Sequence, residues 1–119
     1  MTTEYRSAGK TTLTPDVLLT IARMSALEVE GVKEMAIVKA PPRGSFGRPG
    51  DGVRLIMQDN NVFVDLYVVL KHDVNIREVG RAVQQHVARA LVEMTGLEVG
   101  HVNVHIQDID FPAEAQPTV

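Results

Sequence analysis

The chain has 119 residues, 45% of them hydrophobic, which suffices for one core and hardly for two. Trp is absent and aromatic residues make up 4%, so the core must be built from Val, Leu, Ile, Met and Ala, and platforms for stacking nucleic-acid bases are scarce. A formal charge of −3 excludes a global positive field drawing the protein to nucleic acid or anionic lipid, and the lack of Cys excludes disulfides, thiolate nucleophiles and Cys-based metal sites.

Residues 1–8 read as a flexible N-terminus ahead of a single domain over 9–111, with a short disordered tail over 112–119. Met1 to Thr12 is polar and lacks the apolar stretch of a signal peptide, and the longest apolar runs, such as Leu66 to Leu70, have strand length only. The expected location is the cytoplasm, with any work at a membrane requiring a partner. Lys10 to Leu13 has room for a short edge strand.

Thr14, Pro15 and Asp16 form a helix start: an N-cap, a proline at the first helical position and an acid in the first turn. Leu18, Ile21, Ala22 and Ser25 recur on one helical face, widened by Val17, Met24 and Ala26, and Gly31 ends the segment. Val32 to Ala40 follows as a strand, with Met35, Ile37 and Val38 available for burial.

From Pro41 to Gly52 the composition changes to PPRGSFGRPGDG, which sustains neither helix nor ladder and reads as a mobile loop. Val53 to Gln58 and Val62 to Leu70 are two strands joined through Asp59, Asn60 and Asn61, residues that tolerate the backbone of a tight hairpin. In the second strand Val62, Val64, Leu66, Val68 and Leu70 make the core face, while Phe63, Asp65, Tyr67 and Val69 make a face that is only partly polar.

Asn75 caps a long helix with an apolar stripe of Ile76, Val79, Val83, Val87, Ala90, Leu91 and Met94, and Gly96 supplies a left-handed stop. The last strand runs from about Glu98 to Gln107, where Val102, Val104 and Ile106 alternate with Asn103, His105 and Gln107. These elements predict an α+β two-layer sandwich. Two helices pack on one face of a three- to four-stranded mixed sheet, in the order (β)αβββαβ.

The segments LTPDVLLTIARMSALEVEGVKEM, with Glu28, Gly31 and Val32 at the helix exit, VFVDLYVVLKHDVNI, and TGLEVGHVNVHIQDIDF together cover most of residues 9–111. In this order they resemble the alkaline shock proteins, also called envelope stress response proteins, of Gram-positive bacteria and their relatives. The resemblance implies a cytoplasmic, non-enzymatic, stress-related scaffold or interaction protein that self-associates as a homo-oligomer. It also implies recruitment to the membrane by a separate anchor protein. The Pro41 to Gly52 loop is longer and more basic than that family's pattern.

Four local features bear on function. His101, Asn103 and His105 share one face of the last strand and could chelate a metal with Asp108, but without a clear third ligand the preferred reading is a solvated polar face, with no metal and no cofactor. Gly44, Ser45, Phe46 and Gly47 match the G-x-x-G of an RNA-binding loop. With Lys39, Arg43, Arg48 and Arg54 they form a small basic patch, the alternative reading being an RNA- or phosphate-binding module. Arg81, Gln85 and Arg89 recur at four-residue steps along the long helix, either as a docking row for an acidic partner or lipid head group or as its wet face.

The fourth is the partly apolar face carrying Phe63, Tyr67 and Val69, for which an association surface and scattered surface hydrophobes are equally good readings. No catalytic residue emerges. Asp65, Asp73, Glu78, Asp108 and Asp110 fall on loops, termini or exposed phases, and Ser7, Ser25 and Ser45 lack a nucleophile elbow, so no small-molecule substrate is inferred.

Overall fold

The computed structural model describes residue 9 and residues 12–38 and 43–112. The expected flexible N-terminus, Lys10 and Thr11 of the expected edge strand, Lys39 of the basic patch and residues 113–119 of the tail lie outside the described residues. The elements are α1 (Pro15–Leu27), β1 (Val32–Met35), β2 (Val53–Gln58), β3 (Asn61–Lys71), α2 (Ile76–Thr95) and β4 (Glu98–Asp110). Thr12 and Leu13 take no part in a strand, since two threonines and one Leu offer no alternating apolar face to bury.

β3 is the centre of a mixed sheet. It pairs antiparallel with β1 and β2 and parallel with β4, which follows it from Asn61↔Glu98 to Lys71↔Asp110. β2 pairs with residues 61–66 and β1 with residues 68–70, so these two strands share one edge of β3 end to end. They meet at Tyr67, whose N–H donates to the Gly52 carbonyl at 2.8 Å and whose carbonyl accepts from Ala36 N–H at 2.8 Å. Gly52 has φ +69, and a Cβ there would come within 2.7 Å of the carbonyl oxygens of both Ala36 and Tyr67, so the junction closes only around a glycine.

The hairpin between β2 and β3 turns through Asp59 and Asn60, with Asp59 at φ 57, and Asn61 already belongs to the ladder as the partner of Gln58. Every even position of β3 from Val62 to Leu70 is fully buried. Val53 and Leu55 of β2, Val102 of β4, and both helices complete this core. Helices α1 and α2 therefore pack on the same side of the sheet, and the odd positions of β3 face the other way.

β4 has thirteen residues against eleven in β3, and register shifts at Gly100 and Gln107 absorb the two extra ones. As a result Val99, Val102, Val104, Ile106 and Ile109 all pair with core-face residues of β3, although their spacing departs from strict alternation. The strand consequently extends three residues past the expected end at Gln107.

In α2, Asn75 Oδ1 accepts from Glu78 N–H at 3.0 Å, and Gly96 ends the helix at φ 76, as its position predicts. Val79, Val83, Val87 and Leu91 are buried, but Ile76 and Met94 at the two ends of the stripe are exposed, Met94 at 68%. In α1 the buried set is Leu18, Leu19, Ala22, Ser25 and Ala26. Val17 and Met24 are exposed, so the apolar face is rotated toward Leu19 relative to the expected stripe. Ser25 is satisfied inside this face by donating to the Ile21 carbonyl at 2.6 Å.

At the exit of α1, Gly31 adopts φ +104, and a Cβ there would lie 2.7 Å from Val79 Cγ2, which is why the helix-to-strand turn can press against α2. β1 ends at Met35, short of the expected Ala40. Ile37 is 87% exposed, because beyond Ala36 the chain leaves β3 to make room for Gly52 and β2.

Leu66→Ala is expected to lower the free energy of urea unfolding by about 2–5 kcal/mol, since Leu66 is fully enclosed at the centre of β3. Ile37→Ala should stay within about 0.5 kcal/mol of the parent. A comparable loss for both would contradict the core assignment.

Candidate functional site

The pleat of β3 sets Phe63, Asp65 and Tyr67 in a row on the sheet face away from the helices. Pairing brings Arg54 and Ile56 of β2 beside Asp65 and Phe63 on one flank, and His101, Asn103 and His105 of β4 beside Phe63, Asp65 and Tyr67 on the other. No helix or strand of the described residues packs over them.

The row is an ordered network rather than a bare apolar patch. Asp65 Oδ1 accepts from Asn103 Nδ2 at 3.2 Å and meets His105 Nε2 at 3.0 Å. The His105 ring stacks on Tyr67, with centroids 4.5 Å apart and planes within 13°. The Arg54 guanidinium sits 5.2 Å from the centre of the Tyr67 ring, a cation–π contact. Phe63 meets His101 at 5.0 Å and lies across Gly100, where any Cβ would overlap its ring.

The bulge at Gly100 thus has a second use: it makes space for Phe63. All the odd positions of β3 from Asn61 to Val69 are half-buried, while Ile56 adds exposed apolar surface beside Phe63. Asp65, grouped in the sequence with acids on loops, termini or exposed phases, is the polar centre of the face. The pairing of Asp65 with His105 is invisible in the sequence, because forty residues separate them.

His101, Asn103 and His105 do share one face. Asp108 lies on it too, opposite Val69, but its Oδ1 accepts from Ile109 N–H at 2.8 Å, and the carboxylate that reaches His105 is Asp65. Among the described residues no group of three or more His, Asp or Glu is placed to hold a metal ion.

The basic loop differs from its expected form. Phe46 pairs with Leu55 through two backbone hydrogen bonds of 2.7 and 2.8 Å. Arg48 reaches α1, donating from Nη2 to the Asp16 carbonyl at 2.9 Å and to Thr20 Oγ1 at 2.8 Å, and it forms ion pairs with Asp16 and Asp51. Asp51 is also 3.8 Å from Arg23. The described part of the loop is therefore docked on α1, where two acids and a hydroxyl hold its arginine. Arg54 belongs to the sheet face beside Tyr67, whereas Arg48 is held against α1.

Arg81, Gln85 and Arg89 stand exposed on α2, joined by Arg77 one step earlier. They border an open groove between α2 and β4, whose two adjoining parts enclose about 740 and 400 Å³ and share Gln84. Val69 lies on the opposite face of the sheet from α2. The two candidate surfaces therefore lie apart, one on the sheet face and the other on the groove.

Residues 3–111 match the model of the alkaline shock protein family, described by a cell envelope-related function. YqhY of Bacillus subtilis is 33% identical over 118 residues, covering 91% of this chain and 82% of its own length. An uncharacterized protein of Streptococcus pyogenes is 32% identical over 110 residues, covering 92% and 84%. Among solved structures, an alanine-for-histidine variant of the MamM CTD superposes with a TM-score of 0.50 at 11% identity, covering 82% of this chain and all of that one. That likeness concerns the fold alone.

Two outcomes test the geometry. Gly100→Ala should cost about 1–3 kcal/mol by displacing the Phe63 ring, and in a double-mutant cycle Phe63→Ala should relieve most of that cost. Arg48→Ala should sharply increase proteinase K cleavage within residues 43–52 while changing global stability by about 1 kcal/mol or less, since the side chain is half-exposed.

Proposed function

This chain belongs to the alkaline shock protein family, and we propose that it serves the envelope-related function of that family as a non-enzymatic interaction module that self-associates through its uncovered sheet face. The observation that carries this reading is the face itself. Phe63 and Tyr67 are fixed at the middle of the sheet by stacking and cation–π contacts, with no described element packed above them.

Such side chains lose little further conformational freedom on association, because His101, Gly100, His105 and Arg54 already restrict their rings. Aromatic residues and Arg are also the residue types that most often anchor protein interfaces. Val69 and the exposed Ile56 extend the apolar surface along and across the strands. A scaffold role in the envelope stress response, cytoplasmic location and recruitment by an anchor protein belong to the same proposal. No helix among the described residues is long and apolar enough to cross a membrane.

The RNA- or phosphate-binding reading loses its main support once Arg48 is committed to α1. Light scattering across a wide concentration range tests the preferred reading. The parent protein should exceed the monomer mass with rising concentration, and Tyr67→Glu, which sets a second carboxylate beside Asp65, should return it to the monomer. A parent protein that stays monomeric throughout would end the self-association proposal.

A further inference from the structure

We propose that the groove between α2 and β4 is a second binding site, which takes an extended, acidic peptide segment of a partner protein as an added strand along the free edge of β4. This surface meets the open sheet face only at His101 and Asn103 and does not depend on self-association.

The first observation is topological. β4 is thirteen residues long and, among the described residues, pairs with β3 alone, so its other edge carries backbone donors and acceptors that no described strand takes up. In a parallel ladder alternate residues direct their N–H and C=O groups to either side, which leaves an outward set available along the whole strand. Residues of both parities, from Val99 through Asn103, line the groove. Its floor is therefore the strand edge together with side chains of both sheet faces.

The second observation is chemical. The helix wall carries Arg77, Arg81 and Arg89, all exposed, and none of them enters an ion pair among the described residues. Glu93 is the acid among the residues lining the groove. Three guanidinium groups against one carboxylate make a positive wall on a chain whose overall charge is −3. Below that wall Val99, Val104 and Ile106 are only partly covered by α2, so apolar side chains of an incoming strand have somewhere to go.

Together these select the occupant. Main-chain pairing with β4 supplies binding along the strand, inward apolar side chains meet Val99, Val104 and Ile106, and carboxylates on the peptide meet the arginines. A second copy of this chain fits less well. Two β4 strands paired about a two-fold axis would set both α2 helices on the same side of the joined sheet and turn their arginine rows toward each other, a like-charge opposition that disfavours the dimer.

The test uses the full chain and fluorescein-labelled peptides of about eight residues, long enough to follow most of β4. A Glu/Val peptide of sequence Val-Thr-Glu-Thr-Val-Thr-Glu-Thr, which sets Val and Glu in turn on one face of the strand, should bind, with fluorescence anisotropy giving the affinity. Its Lys/Val counterpart should bind at least on the order of tenfold more weakly, as should the Glu/Val peptide to the Arg81→Glu, Arg89→Glu double variant. A Glu/Val peptide with N-methyl groups along one edge keeps its charge but cannot complete a ladder, and it should lose binding. Hydrogen exchange should show new protection in β4 and none on β2. Equal binding of the Glu/Val and Lys/Val peptides, or retained binding of the N-methylated one, would overturn the proposal. So would binding without protection of β4.

Discussion

The alternation of β3 is the constraint on which the rest of the molecule depends. Five consecutive even positions, Val62 to Leu70, are removed completely from water. Burial of an aliphatic side chain of that size contributes about 1.5–3 kcal/mol, and a one-residue slip would reverse all five at once. That cost fixes the register of β1, β2 and β4 against β3 and forces both helices to the same side. The face carrying Phe63, Asp65 and Tyr67 is therefore a product of core packing: it is where β3 must put whatever the core does not take.

What covers or orders that face is a different matter, settled by the neighbours of β3. β2 contributes Arg54 and Ile56, and β4 contributes two imidazoles and an amide at matching positions. The result is a surface whose aromatic rings are held from the sides and free from above. The α2 and β4 groove is lined differently, by exposed arginines of the helix on one side and by the edge of β4 on the other. One module thus presents an aromatic surface held from the sides and a basic groove along a strand edge.

Much of this was legible in the chain. The caps of α2 at Asn75 and Gly96, the hairpin through Asp59 and Asn60, and the alternation of β3 are local features, set by residues within a turn or a few positions of each other. The features that escaped depend on distant partners. Ile37 looks as buriable as Met35, but it lies past the point where Gly52 takes over the edge of β3. Arg48 reads as a free cation until α1 presents Asp16 and Thr20 to it. The tilt of the α1 stripe toward Leu19 likewise depends on its packing against α2 and the sheet. Family membership was visible because an ordered set of segments survives even where single positions do not specify their contacts.

The two bulges of β4 give that strand an uneven tolerance of length. Loss of residue 100 or residue 107 would restore simple alternation and leave Val102, Val104 and Ile106 directed inward, whereas removing a residue between them would interrupt the inward series. Relatives of this protein can therefore differ in the length of their last strand at those two places without exchanging its inner and outer faces. A gap there would be a change of local twist, while a gap at residue 103 or 104 would be a change of surface.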